Sequence, residues 1–515
     1  MRFAKLFKFI FLYFIFLLLF INVINSAPAE LVTAYGDEFS LNGQAYRFIG
    51  VNMRGLCHYG HGDPLPYTSS SHIDENLDGV ASMGGKVIRL FAAVNNTMNQ
   101  DIVDRLKTVL DKMETRGLKA IVCFTDVYNT NFHPPGDDSY YQLQPGGWTL
   151  LDDTWFASGY TINYLPLVQL AVTQLKDHNA VFAWELGNEI TDIKNPNNII
   201  SFATNVASAI KAIDSYHMVT TGFLSIDHTQ IGETNGYNLY ANPNIDFITV
   251  HSYNGEYHNQ NWAVHSRLRK PLVLEEYGFS ASSGDRVTNT QNLVNEWFDV
   301  HCARGFMQWG YQAQGYDIGD GDNDVGMDQY AHPDYTQLFN IYQTRANLIA
   351  SNPITLPARL TPQGENVARY SINWQADSVY NSSYGGDKAY DGIISGTSKW
   401  CSNGNPPPHW LALDLGQMRL IDGFTIRMAG VVELESFNAK SYQIQSGSSL
   451  TGLWTTEFTV SNPAQFSFYH SIFDTPKLMR YIRLYVTNTG IDNYCRITEV
   501  EVYEYASSVL SWTLY

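Results

Sequence analysis

The stretch FAWELGNEI occupies residues 182–190 and decides how the first part of the chain is interpreted. Its first three residues continue an apolar run from Val181, but Glu185, Asn188 and Glu189 follow almost immediately. A short continuous apolar run is typical of a strand buried on both faces of a parallel sheet. Polar groups at the end of such a strand are typical of a functional site at the carboxyl edge of the sheet.

Seven further apolar runs of the same kind precede or follow this stretch, starting at Tyr46, Gly85, Leu118, His217, Ile245, Lys270 and Gly305. Amphipathic stretches separate several of them, and the spacing predicts helices over residues 102–117 and 199–214. Alternating strands and helices predict an α/β fold, here a (β/α)8 TIM barrel over residues 28–350. An open doubly wound sheet is the alternative, but no glycine-rich phosphate loop follows the first run.

The pattern changes after Ala350. Residues 351–362 are rich in proline and polar residues and indicate a linker. Residues 363–505 contain short alternating runs separated by turn residues, with no sustained helical period, which predicts an all-β jelly-roll sandwich. Residues 506–515 are interpreted as a tail.

The N-terminal segment and the net charge indicate where the chain acts and what kind of partner it binds. Residues 1–27 combine basic residues, a long apolar run and small residues, which predicts a cleaved secretory signal peptide and a secreted chain without a transmembrane segment, with an uncleaved anchor as the alternative. Asn95 and Asn381 lie in glycosylation patterns. A net charge of −18 argues against nucleic acid and favours a neutral partner such as a polysaccharide. We expect a monomer.

Candidate catalytic groups lie where the predicted barrel strands end, because a TIM barrel carries its active site at that face. Paired carboxylates suit glycosidic bond cleavage, in which one protonated carboxyl donates to the leaving oxygen and one ionised carboxylate attacks. The residues that end successive strands are Arg89, Asn188, Glu189, His251, Tyr253, Glu276 and Trp309.

The seventh run presents two adjacent glutamates, Glu275 and Glu276. Neighbours on a strand point to opposite faces, so we expect only one of them to face the barrel mouth. Glu185 and Glu275 are interpreted as polar groups of the barrel wall.

The sequences WELGNE at 184–189, HSY at 251–253 and EYG at 276–278 together resemble glycoside hydrolase family 5, and its β-mannanases in particular. The resemblance implies that Glu189 is the general acid/base and Glu276 the nucleophile. It further assigns substrate-binding and supporting roles: Arg89 and Tyr253 orient Glu276, Asn188 binds the sugar 2-hydroxyl, His251 supports the acid and the sugar, and Trp309 forms a sugar platform.

The function expected from this resemblance is a retaining endo-β-1,4-mannanase, with its two carboxyls about 5–5.5 Å apart. A β-1,4-glucanase or another β-glycosidase of the family is the alternative, and an inactive lectin-like or adhesive surface protein is the alternative from another class. No cofactor or catalytic metal is expected. Asp320, Asp322 and Asp324 alternate as in calcium loops, but the spacing departs from the EF-hand pattern, so we interpret residues 316–328 as a rim loop that shapes the cleft, with bound calcium as the alternative.

The β-domain resembles the discoidin fold of the coagulation-factor type C domains, which carbohydrate-binding module family 32 shares. The stretches that carry the resemblance lie between Ala389 and Tyr505. A carbohydrate ligand is the expectation, with lipid or protein as alternatives. Cys401 and Cys495 are candidates for a disulfide, whereas Cys57, Cys123 and Cys302 of the barrel are expected to be buried thiols.

Overall fold

A computed structural model describes most of the chain outside its two ends and several loops. The described residues are 28–57, 70–92, 99–127, 141–143, 149–191, 195–229, 231–253, 255–256, 258–282, 284–312, 325–329 and 332–505. The predicted signal peptide, the predicted tail, Asn95 and the three aspartates Asp320, Asp322 and Asp324 lie outside them. In the described part, no helix combines the length and the apolar character that crossing a membrane requires.

The eight predicted apolar runs form one parallel sheet that wraps into a barrel. In chain order the barrel strands are Phe48–Asn52, Val87–Phe91, Lys119–Cys123, Val181–Glu185, Met218–Thr220, Ile248–Tyr253, Leu272–Gly278 and Gly305–Gln308. Their order in the sheet is five, four, three, two, one, eight, seven, six. Hydrogen bonds between loop and strand span the remaining junction between strands five and six, including Asp246 N–H to the Val219 carbonyl at 2.8 Å.

One long helix follows each barrel strand and packs outside the sheet, as in a (β/α)8 barrel. These helices are Ser70–Ser82, Asn99–Glu114, Tyr164–Leu175, Pro196–Ile213, Glu233–Tyr240, Asn259–Leu268, Arg286–Asn295 and Tyr335–Ser351. The first predicted helix, 102–117, starts and ends three residues earlier than expected. The second, 199–214, also starts three residues earlier but ends only one residue before the predicted boundary. The prediction of a TIM barrel is confirmed.

The amino end of the barrel is closed by a small antiparallel sheet of Val32–Tyr35, Glu38–Leu41 and Gln44–Ala45. This sheet inserts Phe39 among rings at the starts of the barrel strands. The rings of Phe39 and Phe182 lie 5.0 Å apart, and Phe182 also contacts Phe48 and Phe247. We call these four buried rings, together with Tyr46, the aromatic plug.

The C-terminal domain is an antiparallel β-structure, as predicted. Its strands are Glu365–Asn366, Asn373–Ala376, Trp400–Cys401, His409–Met428, Ser441–Gly447, Trp454–Ser461, Phe468–Asn488 and Arg496–Glu504. The two long strands, His409–Met428 and Phe468–Asn488, pair along most of their length and shift register twice, which bends the sheet. Buried apolar side chains from both long strands fill a core separate from that of the barrel.

The disulfide expected between Cys401 and Cys495 is absent, and all five cysteines, which are all among the described residues, are free. Cys401 pairs in register with Arg496 of the neighbouring strand. Cys495 directly precedes that strand, and its side chain joins the buried core of the β-domain. Cys57 and Cys123 are buried as expected, whereas Cys302 is half-buried.

The β-domain docks at the amino end of the barrel. The helix Asn259–Leu268 follows barrel strand six, so its last turn lies at that end. There the Ser266 hydroxyl donates to the Gln465 carbonyl at 2.9 Å, and the Arg269 guanidinium lies 4.6 Å from the ring centre of Phe466. The predicted linker is also held, since Ala45 N–H donates to the Ile354 carbonyl at 2.8 Å.

Candidate active site

A single arginine organises the carboxyl end of the barrel. Arg89 lies on barrel strand two and is fully buried. Its Nε and Nη2 donate to Glu185 at 2.9 and 2.7 Å, Nη2 also donates to Asn188 at 2.7 Å, and Nη1 donates to Asn52 at 3.1 Å and to Glu276. All five N–H groups of the guanidinium therefore have an acceptor.

Burial alone would lower the pKa of Arg89, but the surrounding carboxylates, Glu185 first, outweigh it and raise the pKa well above its ordinary value. The guanidinium therefore stays charged. A fixed positive charge in a dry site stabilises an ionised carboxylate within hydrogen-bond reach.

Two different strands hold the carboxylate of Glu276. Its Oε1 accepts from Arg89, and its Oε2 accepts from the Tyr253 hydroxyl at 2.7 Å. Tyr253 is the last residue of barrel strand six and Arg89 lies on strand two, so two strands other than its own fix this carboxylate. The carboxylate has little rotational freedom because Arg89 holds one of its oxygens and Tyr253 holds the other.

Glu189 lies beyond barrel strand four in the left-handed backbone region, with φ of 50°. The Asn188 N–H donates to the Thr125 carbonyl at 2.7 Å, which holds this turn against the segment after strand three. A Cβ on Gly187 would lie 2.6 Å from Thr125 Cγ2, so only glycine fits there. A strained backbone held by its neighbours is typical of functional sites.

His251 connects to both predicted catalytic residues. Its Nδ1 lies 2.8 Å from Glu189 Oε1 and 3.4 Å from Glu276 Oε2. A ring nitrogen of His251 and one oxygen from each carboxylate all lie within 4.8 Å of one another. Burial alone would lower the pKa of His251, but the carboxylates around it, Glu276 first, outweigh burial and raise the pKa to about 10.

This trio is the one group of three His, Cys, Asp or Glu side chains among the described residues whose donor atoms are close enough for a metal ion. The oxygens of Glu276 already accept from Arg89 and Tyr253, and Arg89 supplies the compensating positive charge. We therefore interpret the trio as a carboxylate pair with its supporting histidine.

The expectation that only one of Glu275 and Glu276 faces this site is wrong. Val250 pairs with Leu274, but the next residue, His251, pairs with Glu276, so Glu275 is the extra residue of a β-bulge. A bulge interrupts the alternation of side chains and re-aims one of them. Glu275 Oε2 therefore lies 3.4 Å from His251 Nε2, within the same cluster.

The structure brings six of the seven predicted site residues into one connected cluster: Arg89, Asn188, Glu189, His251, Tyr253 and Glu276. Trp309 directly follows barrel strand eight, and its N–H donates to the Tyr277 carbonyl at 2.8 Å, which places it at the same end of the barrel. It is 6% exposed, and the ring of His251 has no exposed surface. His251 contacts Glu189, as expected, and its predicted roles toward the acid and the sugar stay predictions.

Sequence reasoning missed three members of the site. Asn52 ends barrel strand one and accepts from Arg89, and Asp126 follows strand three and accepts from Asn188 Nδ2 at 3.2 Å. Both are polar residues at strand ends, the same signal that identified the others. Glu275 was misplaced because no sequence signal marked the bulge.

Comparison with known proteins agrees with this geometry. A sequence model described as cellulase (glycosyl hydrolase family 5) matches residues 39–317, which is more than half of the chain. The chain belongs to glycosyl hydrolase family 5. Its barrel is therefore that of a glycoside hydrolase, and a model of the F5/8 type C domain matches residues 373–500 of this family 5 chain.

Among curated proteins, the family 5 chain is 26% identical over 342 residues to mannan endo-1,4-beta-mannosidase A of Podospora anserina, covering 57% of this chain and 87% of the relative. It is 25% identical over 361 residues to the probable mannan endo-1,4-beta-mannosidase C of Aspergillus terreus, covering 58% and 87%. Among solved structures, the endo-1,4-beta-mannanase of Rhizomucor miehei matches with a TM-score of 0.50 and 16% identity, covering 62% of this chain and all of that chain. The structural match concerns the fold alone.

Proposed function

We propose that the protein is a secreted, retaining endo-β-1,4-mannanase in which Glu189 is the general acid/base and Glu276 the nucleophile. The observation that carries the proposal is the pairing of these two carboxylates, whose nearest oxygens lie within 4.8 Å of each other. Carboxyls about 5–5.5 Å apart suit direct attack on the sugar, whereas inverting enzymes keep roughly 6.5–9.5 Å for a water.

In the first step, Glu276 attacks the anomeric carbon while the bond to the leaving oxygen breaks. Glu189 gives its proton to that oxygen and becomes a carboxylate, and a glycosyl ester forms on Glu276. Arg89 and Tyr253 hold Glu276 in position for the attack. Positioning of this kind supplies a large share of the rate enhancement in enzymes.

In the second step, Glu189 removes a proton from water, which attacks the anomeric carbon and releases Glu276. Asn188 is held by Arg89 and Asp126 beside the reacting centre, and its amide binds the sugar 2-hydroxyl. Trp309 provides the apolar face on which a sugar ring stacks. Because attack occurs twice, the product keeps the configuration of the substrate.

Mannan is the proposed substrate because the curated relatives are named mannan endo-1,4-beta-mannosidases and cover most of their own length in the match. The strongly negative net charge also suits a neutral polymer better than an acidic one. A β-1,4-glucan is the second candidate, favoured by the match to a family described as cellulase.

The C-terminal domain is proposed to bind carbohydrate and to keep the enzyme near its substrate. The match to the F5/8 type C domain supports a binding role, and no residue of the ligand site is assigned. The apolar segment and small residues within 1–27 support secretion. The enzyme is proposed to act as a monomer.

The test measures reducing-sugar release by the purified chain on β-1,4-mannan, carboxymethyl cellulose and mixed-linkage β-glucan. We expect the highest rate on mannan, with loss of about 10⁴-fold or more in Glu276→Ala, because removal of a catalytic nucleophile typically costs rates of this order. The matched control is Glu75→Ala, which removes an exposed glutamate from the first barrel helix and should keep the wild-type rate.

Wild-type activity in Glu276→Ala would refute the assignment of the nucleophile. Proton NMR of the first product tests the mechanism, and an initial α-anomer would contradict retention. Release of sugar from none of the glycans, together with tight glycan binding, would favour the lectin-like alternative.

A further inference from the structure

Glu275 occupies an unusual position in barrel strand seven. It is the bulged residue between the pairs Val250–Leu274 and His251–Glu276, and its side chain is fully buried. Its Oε2 lies 3.4 Å from His251 Nε2 and 3.9 Å from Arg89 Nε, and its Oε1 has no hydrogen-bond partner. The bulge thus turns a carboxylate into the interior of the site that regular alternation would point away.

The stability of the fold does not account for this carboxylate. Burial, followed by the charge of Glu185, raises the pKa of Glu275 to about 7. A buried carboxylate with one unsatisfied oxygen is costly, whereas an apolar side chain of similar size would not be. A group retained at such a cost invites an explanation from its contacts.

Those contacts connect Glu275 to Glu189 through His251. His251 lies between two carboxylates, with Nδ1 at 2.8 Å from Glu189 Oε1 and Nε2 at 3.4 Å from Glu275 Oε2. The two nitrogens lie on opposite sides of the ring, so an acceptor at Nε2 fixes both the ring orientation and the presence of a proton on Nε2. Orientation of a catalytic partner by a third group is the same principle that operates in catalytic triads.

We propose that Glu275 is a positioning residue that acts through His251 on Glu189, and this role rests on the proposed function. Glu275 accepts from Nε2–H and holds the ring so that Nδ1 faces Glu189. When Glu189 has given its proton to the leaving oxygen, the new carboxylate accepts a hydrogen bond from Nδ1–H. The histidine keeps its own protons throughout, and Glu275 never touches the sugar.

Glu185 provides the matched control because it is equally buried and is also a carboxylate of the barrel wall. Its two oxygens accept from Arg89, which in turn holds Glu276. Glu185 therefore supports the nucleophile through its hydrogen bonds to Arg89, whereas Glu275 lies 3.9 Å from Arg89 without a hydrogen bond and contacts the histidine of the acid/base. The two variants Glu275→Gln and Glu185→Gln both remove a buried negative charge but should affect different catalytic carboxyls, Glu189 and Glu276 respectively.

The experiment compares two substrates that differ in their need for an acid. Mannohexaose has a poor leaving group that must be protonated, whereas 2,4-dinitrophenyl β-mannobioside has a leaving group that departs without help. We expect Glu275→Gln to lower kcat/KM on mannohexaose by about 10–100-fold, the range typical of supporting partners, and to lower it by less than about 3-fold on the aryl substrate. Glu185→Gln should lower both by similar factors.

Thermal unfolding of each variant accompanies the kinetics. A Glu275→Gln loss that is equal on the two substrates would overturn the proposal, because a general weakening of the site does not depend on the leaving group. Unchanged kcat/KM on mannohexaose would also overturn it. A wild-type enzyme that cleaves neither substrate would instead refute the proposed function, and the role of Glu275 with it.

Discussion

The two ends of the barrel are filled by different kinds of residue: charged groups at the carboxyl end and aromatic rings at the amino end. At the carboxyl end, Arg89 donates to the carboxylates of Glu185 and Glu276 and lies 3.9 Å from that of Glu275, and His251 lies between Glu189 and Glu275. At the amino end, the aromatic plug fills the interior, and charged groups at its edge form compact pairs, such as Arg304 with Asp37 at 2.7 Å. The β-domain docks at this second end.

The two ends of the barrel differ in how their buried charges are compensated. At the carboxyl end, Arg89 and His251 together face several buried carboxylates, and the catalytic role explains why the site carries this electrostatic cost. At the amino end, apolar burial contributes most of the stabilisation, and the ion pairs close the surface around it. TIM barrels generally separate chemistry and stability in this way, and the predictions below test that separation here.

The largest expected effect comes from Arg89→Met. Removing the guanidinium leaves the carboxylates of Glu185 and Glu276 buried without their cation, which typically costs about 3–5 kcal/mol of stability. Activity on mannan should fall by about 10³-fold or more, because Glu276, the proposed nucleophile, loses its main support. Urea denaturation and initial rates measure the two effects separately.

The amino end offers a matched arginine for comparison. Arg304 is 4% exposed and pairs with Asp37, which keeps a second partner in Arg269. Arg304→Met should lower stability by less than Arg89→Met does and leave kcat per folded molecule unchanged. A loss of kcat comparable to that of Arg89→Met would contradict the separation of the two ends.

The next largest effect is a loss of stability alone. Phe182 contacts Phe39, Phe48 and Phe247 in the aromatic plug, at ring-centre distances of 5.0, 5.3 and 5.9 Å. Phe182→Ala creates a cavity there and should cost about 3–5 kcal/mol. Below the unfolding temperature, kcat and KM on mannan should stay at wild-type values. A changed KM would show that the plug also shapes the substrate cleft.

The sequence alone predicts much of the arrangement of residues at the carboxyl end of the barrel. The eight strands are apolar runs, and their order places Arg89, Glu189, His251 and Glu276 at one end of the barrel by topology alone. A strand-end rule therefore predicts that these residues meet, although it does not give their hydrogen bonds. The rule applied consistently would also have found Asn52.

The remaining features depend on packing between distant segments. The bulge at Glu275 arises from the register of strand seven against its neighbour, which a single-strand pattern does not encode. The aromatic plug brings Phe39 against Phe182 across 143 residues of sequence separation, counted as the difference of their numbers. The docking of Ser266 onto Gln465 likewise depends on two folded surfaces and has no local signature.

The smallest expected effect concerns the ion pairs at the amino end and their pH dependence. Burial alone would raise the pKa of Asp37, but Arg269 and Arg304 outweigh it and lower the pKa from 3.8 to about 2. A carboxyl whose pKa is lowered in the folded state stabilises the fold above its unfolded pKa. This contribution disappears as the pH falls from about 4 through 2. At 1.36 kcal/mol per pKa unit the contribution at neutral pH is about 2 kcal/mol.

Asp37→Asn should therefore lower the free energy of unfolding by about 2 kcal/mol at pH 7, and the difference from wild type should shrink steadily below pH 4. At the carboxyl end of the barrel, His251 should give the opposite pH dependence, with a loss of stability at alkaline pH. The raised pKa of His251 means that its contribution is complete below its ordinary pKa of 6.5 and is lost as the pH rises through about 10. Asp37→Asn should leave that alkaline limb unchanged in urea titrations. A stability difference between Asp37→Asn and wild type that stays constant from pH 7 to pH 3 would mean that the charge of Asp37 contributes nothing, and that apolar packing alone holds the amino end together.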